Sequence, residues 1–369
     1  MTSPLHQTAP ARRRLAAIGA AAALATSAVL ATPLGAATGA AQTMTQPVAQ
    51  QVDRTSAEPL AGSVLVVSVD GFNPSALSKL GPTGAPTFHR LIAEGATTMN
   101  ARTQVELTLT LPNHTGMVTG RRVNASAGGH GVTWNDDRKR PATVQAAAGH
   151  PVGSVFTVVN GAGGSSALFA SKTKFSLWQR SWPLSLDRVR IQENNTKLVK
   201  ALIGDLSTPR DFRMLHLSEP DVMGHEYGFM GPRYLAAVRK VDTLLGQVLA
   251  AIDANPELAA GLTLVVTADH GGLGKEHGVA TRRVNYRIPF LVRGPGVPAG
   301  VDLYSLNPAY ADPGRDQLSY AAARQPIRNG AVANLALDLL GLPAVPGSEH
   351  DAAQDLEVTA TAPARSATG

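Results

Sequence analysis

Two segments of this sequence contain an aspartate close to a histidine, with glycine nearby. Asp269 and His270 are adjacent in "TADHGG", and Asp221 and His225 are four residues apart in "SEPDVMGHEYG". A four-residue spacing places two side chains on the same face of a helix. Carboxylate oxygens and imidazole nitrogens are ligands of zinc and similar divalent metals. Each pair is a candidate metal site, although a polar turn or a surface pair explains either one in isolation.

Two further residues add candidate ligands. Asp70 lies in "SVDGF" and His350 in "GSEHDAA", and the sequence has no cysteine that could supply a thiolate. Taken singly, the first is a common turn signal and the second reads as a surface histidine. Together with the two pairs they are enough for two adjacent metal sites. Two ions about 3.5–4 Å apart stabilise both the attacking and the leaving oxygen of a displacement at phosphorus.

A threonine precedes an expected helix start in the segment "TLTLPNHTG". Thr110 stands two residues before Pro112, and proline is favoured in the first turn of a helix. A helix that begins at Pro112 would direct its positive end toward Thr110. A threonine hydroxyl is a weak nucleophile, and metal coordination activates it by lowering its pKa. Thr110 is therefore the candidate nucleophile.

Strand-like and helix-like segments alternate along the chain. The apolar runs predicted as strands are 63–71, 153–161, 213–221, 261–272 and 287–296, and the predicted helices include 85–95, 232–253 and 329–343. Continuous apolar strands that alternate with helices predict an α/β fold, with a mostly parallel central sheet and helices on both faces. Functional sites in such sheets lie beyond the carboxyl ends of the strands. Asp70, Asp221 and Asp269 each lie at that end of a predicted strand.

Six motifs follow one another in the order in which one enzyme family carries them. They are "VSVDGF", "TLPNHTGMVTG", "HGVTWND", "SEPDVMGHEYG", "TADHGG" and "GSEHDAA". From about residue 62 to 356 the chain resembles the nucleotide pyrophosphatase/phosphodiesterase family of the alkaline phosphatase superfamily. The resemblance implies an alkaline-phosphatase-like fold, two Zn²⁺ ions (or other divalent metals) as cofactors, and hydrolysis of phosphoric esters through a phosphothreonine intermediate.

The resemblance also implies roles for individual residues. The metal ligands that it implies are Asp221, His225 and His350 for one ion, and Asp70, Asp269, His270 and the Thr110 oxygen for the other. Thr110 would attack phosphorus. Asn135, in "HGVTWND", would donate its amide hydrogens to a phosphate oxygen and stabilise the charge that develops there.

The residues expected around the substrate depart from the family pattern. Leu111 follows the nucleophile, where the family has an aromatic ring that stacks on a nucleobase, and Trp182 lies where a second base-contacting ring is expected. Both are candidate substrate contacts, although leucine does not stack as an aromatic ring does. His277 is a weaker candidate for contact with substrate. Lys172 and Lys174 have no role that the sequence itself supports.

The amino terminus has the pattern of an export signal. Arg12, Arg13 and Arg14 precede the alanine-rich apolar run 15–31, and small residues follow. Residues 1–41 are therefore predicted to be a cleaved signal peptide, of the general or the twin-arginine type. We divide the rest into a flexible leader (42–61), the catalytic domain (62–356) and a disordered tail (357–369). This organisation predicts a secreted or periplasmic, cell-envelope protein without a membrane span after cleavage.

The net charge of the chain and its motifs indicate which classes of partner to expect. The formal net charge is +6, and half of it comes from the three arginines of the predicted signal. Duplex nucleic acid is therefore not an expected partner, and a small phosphodiester or nucleotide-like substrate is. Diesters are favoured because the nucleophile motif has no arginine to balance the second charge of a monoester. A phosphomonoesterase of the same superfamily and a catalytically silent binding protein on this fold are the alternatives.

Overall fold

The computed structural model describes residues 60–359, so the predicted signal peptide lies outside it, with most of the leader and of the tail. The strands of this part are β1 (Ser63–Val69), β2 (Ala96–Arg102), β3 (Ser166–Ala170), β4 (Arg188–Ile191), β5 (Phe212–Leu217), β6 (Leu262–Thr267), β7 (Arg287–Arg293) and β8 (Val301–Asp302). None of the helices in this range is long and apolar enough to cross a membrane.

Helices connect most of these strands. They are α1 (Ser75–Gly84), α2 (Pro86–Glu94), α3 (Thr110–Thr119), α4 (Val144–Ala148), α5 (Val155–Gly161), α6 (Ser176–Ser181), α7 (Asn195–Asp205), α8 (Glu219–Tyr227), α9 (Pro232–Asp253), α10 (Pro256–Gly261), α11 (Arg283–Tyr286), α12 (Leu303–Leu306) and α13 (Val332–Leu339).

The strands form one eight-stranded sheet in the order β4-β3-β5-β1-β6-β7-β2-β8. The pairs from β4 through β6 are all parallel, and β7 runs antiparallel to both of its neighbours. Every residue of β5 and β6 is buried. Because successive side chains of a strand point to opposite faces, the centre of the sheet is covered on both sides. The predicted α/β class, with a mostly parallel central sheet, is confirmed.

The hydrophobic pattern predicted the central elements well. Four of the five predicted strands correspond to β1, β5, β6 and β7, and the three predicted helices overlap α2, α9 and α13. The predicted strand over 153–161 is wrong, because Val155–Gly161 is the helix α5. Ser154 and Thr157 close a reciprocal cap at its start, and this starting signal outweighs the β-branched composition. The strand in this part of the chain is β3, a few residues later.

The first turn of α2 is capped from another helix. The carboxylate of Asp242, on α9, accepts hydrogen bonds from Thr87 N (3.2 Å) and Phe88 N (2.8 Å), and α2 has no capping side chain of its own. We expect Asp242→Ala to lower the free energy of unfolding by about 1–2 kcal/mol, the usual effect of losing a helix cap. Urea denaturation measures this change.

The same substitution at an exposed aspartate provides the control. Asp136 is exposed and pairs with the neighbouring Arg138. Exposed ion pairs contribute about 0–1 kcal/mol, so Asp136→Ala is expected to shift the urea midpoint less than Asp242→Ala. Equal midpoints for the two variants would show that Asp242 does not hold α2.

Candidate active site and metal centre

Four neighbouring strands deliver charged residues to the same edge of the sheet. In sheet order these strands are β3, β5, β1 and β6, and they are parallel to one another. Lys172 follows β3, Asp221 lies in the first turn of α8 after β5, and Asp70 and Asp269 follow β1 and β6. The three aspartates are at most 3% exposed. Burial of three carboxylates in one place is costly unless cations balance them.

A glycine lets β1 end directly against α8. Gly71 has a left-handed φ of +68°, and a Cβ at this position would lie 3.0 Å from the Cα of Asp221. The position therefore favours glycine on both backbone and steric grounds. Its amide also donates to Asp269 Oδ1 at 3.1 Å. The glycine after Asp70 thus brings three strand ends together.

Asp221, His225 and His277 form the first group of candidate metal ligands. Asp221 Oδ1 lies 3.5 Å from His225 Nε2 and 3.6 Å from His277 Nε2. The two Nε2 atoms are 3.0 Å apart. Ligands on a tetrahedral zinc ion, each bound at about 2.0–2.2 Å, lie roughly 3.3 Å from one another. The triangle of these three atoms has the size that one zinc ion requires.

The orientation of the histidines supports the same interpretation. His225 Nδ1 lies 2.8 Å from the carbonyl of Lys275, and His277 Nδ1 lies 2.6 Å from the carbonyl of Thr108. Each Nδ1 must carry a proton to donate to its carbonyl, so in the neutral ring Nε2 is left as a lone pair. Two lone pairs that face each other repel unless a cation or a proton lies between them. Histidines that bind metals are held in this way by a carbonyl on the other ring nitrogen.

His350, the predicted third ligand of this group, lies in neither candidate metal group of the described residues. Its Nε2 is 3.0 Å from Gln104 Oε1, which also accepts from the Tyr320 hydroxyl. Its ring packs so closely on Gly330 that a Cβ there would come within 2.2 Å of the imidazole. His350 is thus held in a separate buried network, whereas His277 lies beside Asp221.

Asp70, Asp221 and His270 form the second group, next to Asp269 and Thr110. His270 Nε2 lies 3.1 Å from Asp269 Oδ2, and 3.5 Å from both Asp70 Oδ1 and Thr110 Oγ1. His270 Nδ1 lies 2.9 Å from the carbonyl of Gly271. The Nε2 atom therefore faces the carboxylates and the threonine. The predicted ligands of the second ion lie near one another, and Asp221, predicted for the first ion, lies among them.

Each of the three carboxylates keeps one buried oxygen without a hydrogen bond inside the described range. These atoms are Asp70 Oδ1, Asp221 Oδ1 and Asp269 Oδ2. The other oxygens are engaged, because Asp70 Oδ2 and Asp221 Oδ2 contact Lys172 Nζ at 2.6 and 2.7 Å. Buried polar atoms rarely go without a partner. These oxygens lie beside imidazole nitrogens, and together they form a donor set that divalent zinc fits.

The pKa values of the chain's own groups follow this charge distribution. Burial lowers the pKa of His277 to about 4, with help from the nearby His270, so its ring is neutral at pH 7. Burial also acts to lower the pKa of His270, but Asp269, Asp221 and Asp70 raise it to about 9. Burial alone would raise the pKa of Asp70, whereas Lys172, His216 and His270 bring it well below the ordinary value. A metal ion bound at His270 would therefore displace a proton.

Thr110 is the first residue of α3, and the helix starts two residues before the predicted Pro112. The residue before it, Leu109, is extended and gives the helix no side-chain cap. The partial positive charge of the helix start is therefore available to an anion beside Thr110. Thr110 Oγ1 lies 3.5 Å from His270 Nε2 and 3.5 Å from Lys172 Nζ. A protonated His270 and Lys172 both favour the deprotonated form of this hydroxyl.

Asn135, the amide that the resemblance implies for phosphate binding, lies beside the same helix start. Its Oδ1 accepts from Leu111 N at 3.0 Å and from Lys174 Nζ at 3.0 Å. Lys174 also donates to the Asn135 carbonyl at 2.7 Å. Two donors on one oxygen fix which end of the side-chain amide is oxygen. The amide nitrogen takes no part in these contacts, so its hydrogens are available to a phosphate oxygen.

The two predicted base contacts lie in the hydrophobic core. Leu111 is fully buried and Trp182 is 3% exposed. The indole of Trp182 donates to the carbonyl of Val152 at 3.0 Å and packs near Phe156. These side chains offer no surface on which a nucleobase could stack. Leu111 contributes to the site through its backbone amide, which holds Asn135.

Two site residues were not assigned by sequence reasoning. His277 was considered only for contact with substrate, and Lys172 was given no role, yet both lie within 4 Å of Asp221. "EHG" around His277 follows the "DHGG" motif closely, and a short hairpin between Leu273 and Glu276 returns the chain to α8. The repeated His-Gly pair was the available signal. Lys172 could not be inferred from a strand end, because the strand before it, β3, was not predicted.

Solved structures with the same fold come from mouse and human. An inactive variant of murine ectonucleotide pyrophosphatase/phosphodiesterase 5, in complex with AMP, is similar with a TM-score of 0.59 and 17% identity, over 80% of this chain and 99% of that chain. The human protein of the same name has a TM-score of 0.56 and 16% identity, over 81% of this chain and 100% of that chain. At these identities the likeness concerns the fold.

A family model provides the assignment. The model described as type I phosphodiesterase / nucleotide pyrophosphatase matches residues 64–284, which is more than half of the chain. The match includes the segments that carry Asp70, Thr110, Asp221 and Asp269, and it ends after His277. The resemblance predicted from the six motifs is confirmed, and the chain belongs to the type I phosphodiesterase / nucleotide pyrophosphatase family.

Proposed function

We propose that the chain is a two-zinc hydrolase of phosphoric esters, of the phosphodiesterase and nucleotide pyrophosphatase type, with Thr110 as its nucleophile. One observation carries the proposal. The Thr110 hydroxyl lies 3.5 Å from His270 Nε2, beside three buried carboxylates that each keep an oxygen without a hydrogen bond within the described part. Asp221, His225 and His277 would hold one ion. Asp70, Asp269, His270 and the Thr110 oxygen would hold the other.

The proposed reaction has two displacements at phosphorus. In the first, Thr110 Oγ1 gives up its proton to solvent and bonds to phosphorus as the bond to the leaving group breaks. This gives a phosphothreonine, and the departing oxygen leaves as an anion or takes a proton from water. In the second, water cleaves the phosphothreonine, so that phosphate or a monoester leaves and the hydroxyl is restored. Bound divalent ions supply positive charge to the attacking and leaving oxygens.

The chain's own residues orient the phosphoryl group. The amide hydrogens of Asn135 donate to a non-bridging oxygen, because its Oδ1 is already occupied by Leu111 N and Lys174 Nζ. The start of α3 adds positive potential at the same place. Both groups are fixed before the substrate arrives, and donors arranged in advance stabilise developing charge most effectively.

The family and the fold support a proposal about the substrate class. A relative with this fold binds AMP, so we propose a small phosphodiester or nucleotide-like substrate. Since Leu111 and Trp182 are buried, base stacking on them is not part of the proposal. The predicted export signal adds a secreted or cell-envelope location, which amino-terminal sequencing of the protein from the culture fraction would test.

Chelation provides the direct test of the proposed reaction. We expect purified protein to contain close to two zinc ions per chain and to hydrolyse bis(4-nitrophenyl) phosphate. A chelator should remove at least about 99% of this activity, because each ion supplies several kcal/mol of transition-state stabilisation, and added zinc should restore it. Protein that holds two zinc ions and hydrolyses no phosphoric ester would contradict the proposal and favour a silent binding protein.

A further inference from the structure

Two lysines after β3 bring positive charge to the phosphate-binding position. Lys172 Nζ lies 3.5 Å from the nucleophile Thr110 Oγ1, and Lys174 Nζ lies 3.0 Å from Asn135 Oδ1. Each lysine thus contacts a residue that the proposed reaction assigns to the phosphoryl group. The nucleophile motif has no arginine, which favours diesters on sequence grounds. The structure supplies the missing positive charge from a different segment.

The lysine segment is anchored firmly. Phe175 follows it directly, is fully buried, and packs against His216 (ring centroids 4.6 Å apart) and Trp178 (4.8 Å). The side chain of Lys172 is only 16% exposed. A buried ammonium group is held in place rather than free to swing into solvent. Both lysines are therefore fixed parts of the site.

The contacts of Lys172 are compatible with metal ligation by the same carboxylates. Its ammonium group contacts Oδ2 of Asp70 and Oδ2 of Asp221. The oxygens without a hydrogen bond in this part of the site are the Oδ1 atoms of the same two residues. Each carboxylate thus presents one oxygen to the lysine and the other toward the candidate ligands. The third hydrogen of the ammonium group faces the Thr110 hydroxyl.

Charge balance then decides which phosphoryl group the site fits. Three carboxylates and the deprotonated Thr110 oxygen offset all four positive charges of two divalent ions. The two lysines then raise the net charge of the site to plus two. A phosphate monoester, whose terminal group carries two negative charges near pH 7, balances that charge, whereas a diester phosphate carries only one. In a buried site such unbalanced charges are energetically costly.

We propose that Lys172 and Lys174 bind the terminal, doubly charged phosphoryl group of phosphate monoesters, and that the chain hydrolyses monoesters as a further activity at the same site. This inference rests on the proposed function. A phosphoryl group on Thr110 keeps its other oxygens within reach of a cation 3.5 Å from Oγ1. Lys172 donates to one of these oxygens, and Lys174 reinforces the oxygen that Asn135 binds. Diesters lack the additional charge and depend less on the pair.

The test compares two substrates in four proteins. Steady-state kinetics with 4-nitrophenyl phosphate and bis(4-nitrophenyl) phosphate are measured for the wild type, Lys172→Met, Lys174→Met and a control, Lys200→Met, which replaces an exposed lysine of α7. The wild type should hydrolyse both. We expect Lys172→Met to lower kcat/KM for the monoester about 100-fold, which is the usual effect of removing one donor to developing charge. For the diester we expect a decrease of less than about 10-fold. Lys174→Met should shift the ratio in the same direction, and Lys200→Met should not shift it.

A binding measurement gives a readout that does not depend on turnover. Calorimetry with inorganic phosphate should give a Kd at least about 10-fold weaker for zinc-loaded Lys172→Met than for the wild type, because a charge-assisted hydrogen bond is lost. Zinc content is measured on the same samples. An equal decrease of kcat/KM for both substrates, or an unchanged Kd for phosphate, would show that the lysines serve only to hold the carboxylates. Hydrolysis of the diester alone by the wild type would overturn this inference and leave the proposed function intact. Hydrolysis of neither substrate would overturn both.

Discussion

Thr110→Ala is expected to remove hydrolysis of phosphoric esters while the protein keeps its fold and its metal. The hydroxyl is the one alcohol placed beside His270, Lys172 and the start of α3 in the described part. Without it the phosphothreonine cannot form. Removal of an enzyme nucleophile costs roughly 10⁴-fold or more in kcat, so the residual rate with bis(4-nitrophenyl) phosphate should lie near the detection limit. Asp70, Asp269 and His270 still offer three ligands to the second ion, so zinc content should change little.

Two variants make this result specific. Thr110→Ser keeps the hydroxyl and should recover a measurable fraction of the activity. Thr119→Ala removes a second buried threonine of the same helix, whose hydroxyl donates to the Thr115 carbonyl and accepts from Arg121 N. We expect the latter to stay within a few-fold of the wild type, since it touches no site residue. Activity of Thr110→Ala comparable to that of Thr119→Ala would exclude Thr110 as the nucleophile.

The position of the acidic residues was predictable because parallel strands impose it. Asp70, Asp221 and Asp269 each follow a continuous apolar strand, and the carboxyl ends of parallel strands meet at one edge. The structure has β5, β1 and β6 as direct neighbours. The sequence did not reveal this neighbour order, but the rule about strand ends holds for any order in which these strands are adjacent. Gly71 then allows the close approach that joins them.

The loop residues were not predictable in the same way. His277 and His350 both lie in glycine-containing loops, and nothing in strand or helix periodicity says which loop folds back over α8. A bond from Phe229 N to the Gly274 carbonyl and the contact between His225 and Lys275 close the loop that carries His277. Such contacts join segments about fifty residues apart and leave no local pattern.

The burial of Leu111 and Trp182 was missed for a related reason. An apolar side chain in a site motif reads equally well as a substrate contact or as a core residue, and the hydrophobic effect favours the core whenever there is room. Leu111 belongs to α3, a helix in which all residues are buried. The base-stacking role that the family assigns to an aromatic ring at this position therefore does not apply to Leu111.

His277→Asn is expected to remove one of the two zinc ions and nearly all of the activity. Asparagine keeps a donor in reach of the Thr108 carbonyl, which His277 Nδ1 now contacts at 2.6 Å, but it has no nitrogen lone pair at the position of Nε2. Asp221 and His225 alone are too few ligands for a stable zinc site. Loss of the charge that one ion supplies, about 4 kcal/mol, corresponds to roughly 10³-fold in kcat.

His350→Gln is the matched variant. Together the two variants test whether the zinc ligand is His350, as the resemblance implies, or His277, as the structure favours. Glutamine can keep the hydrogen bond that His350 Nε2 makes with Gln104 Oε1, so the buried network should survive with a modest loss of stability. We expect this variant to hold two zinc ions and to keep most of its activity. Metal analysis by mass spectrometry and calorimetric zinc titration of the chelated proteins measure the stoichiometry. If His350→Gln loses an ion while His277→Asn retains two, then His350 is the zinc ligand and the loop around His277 has a different role.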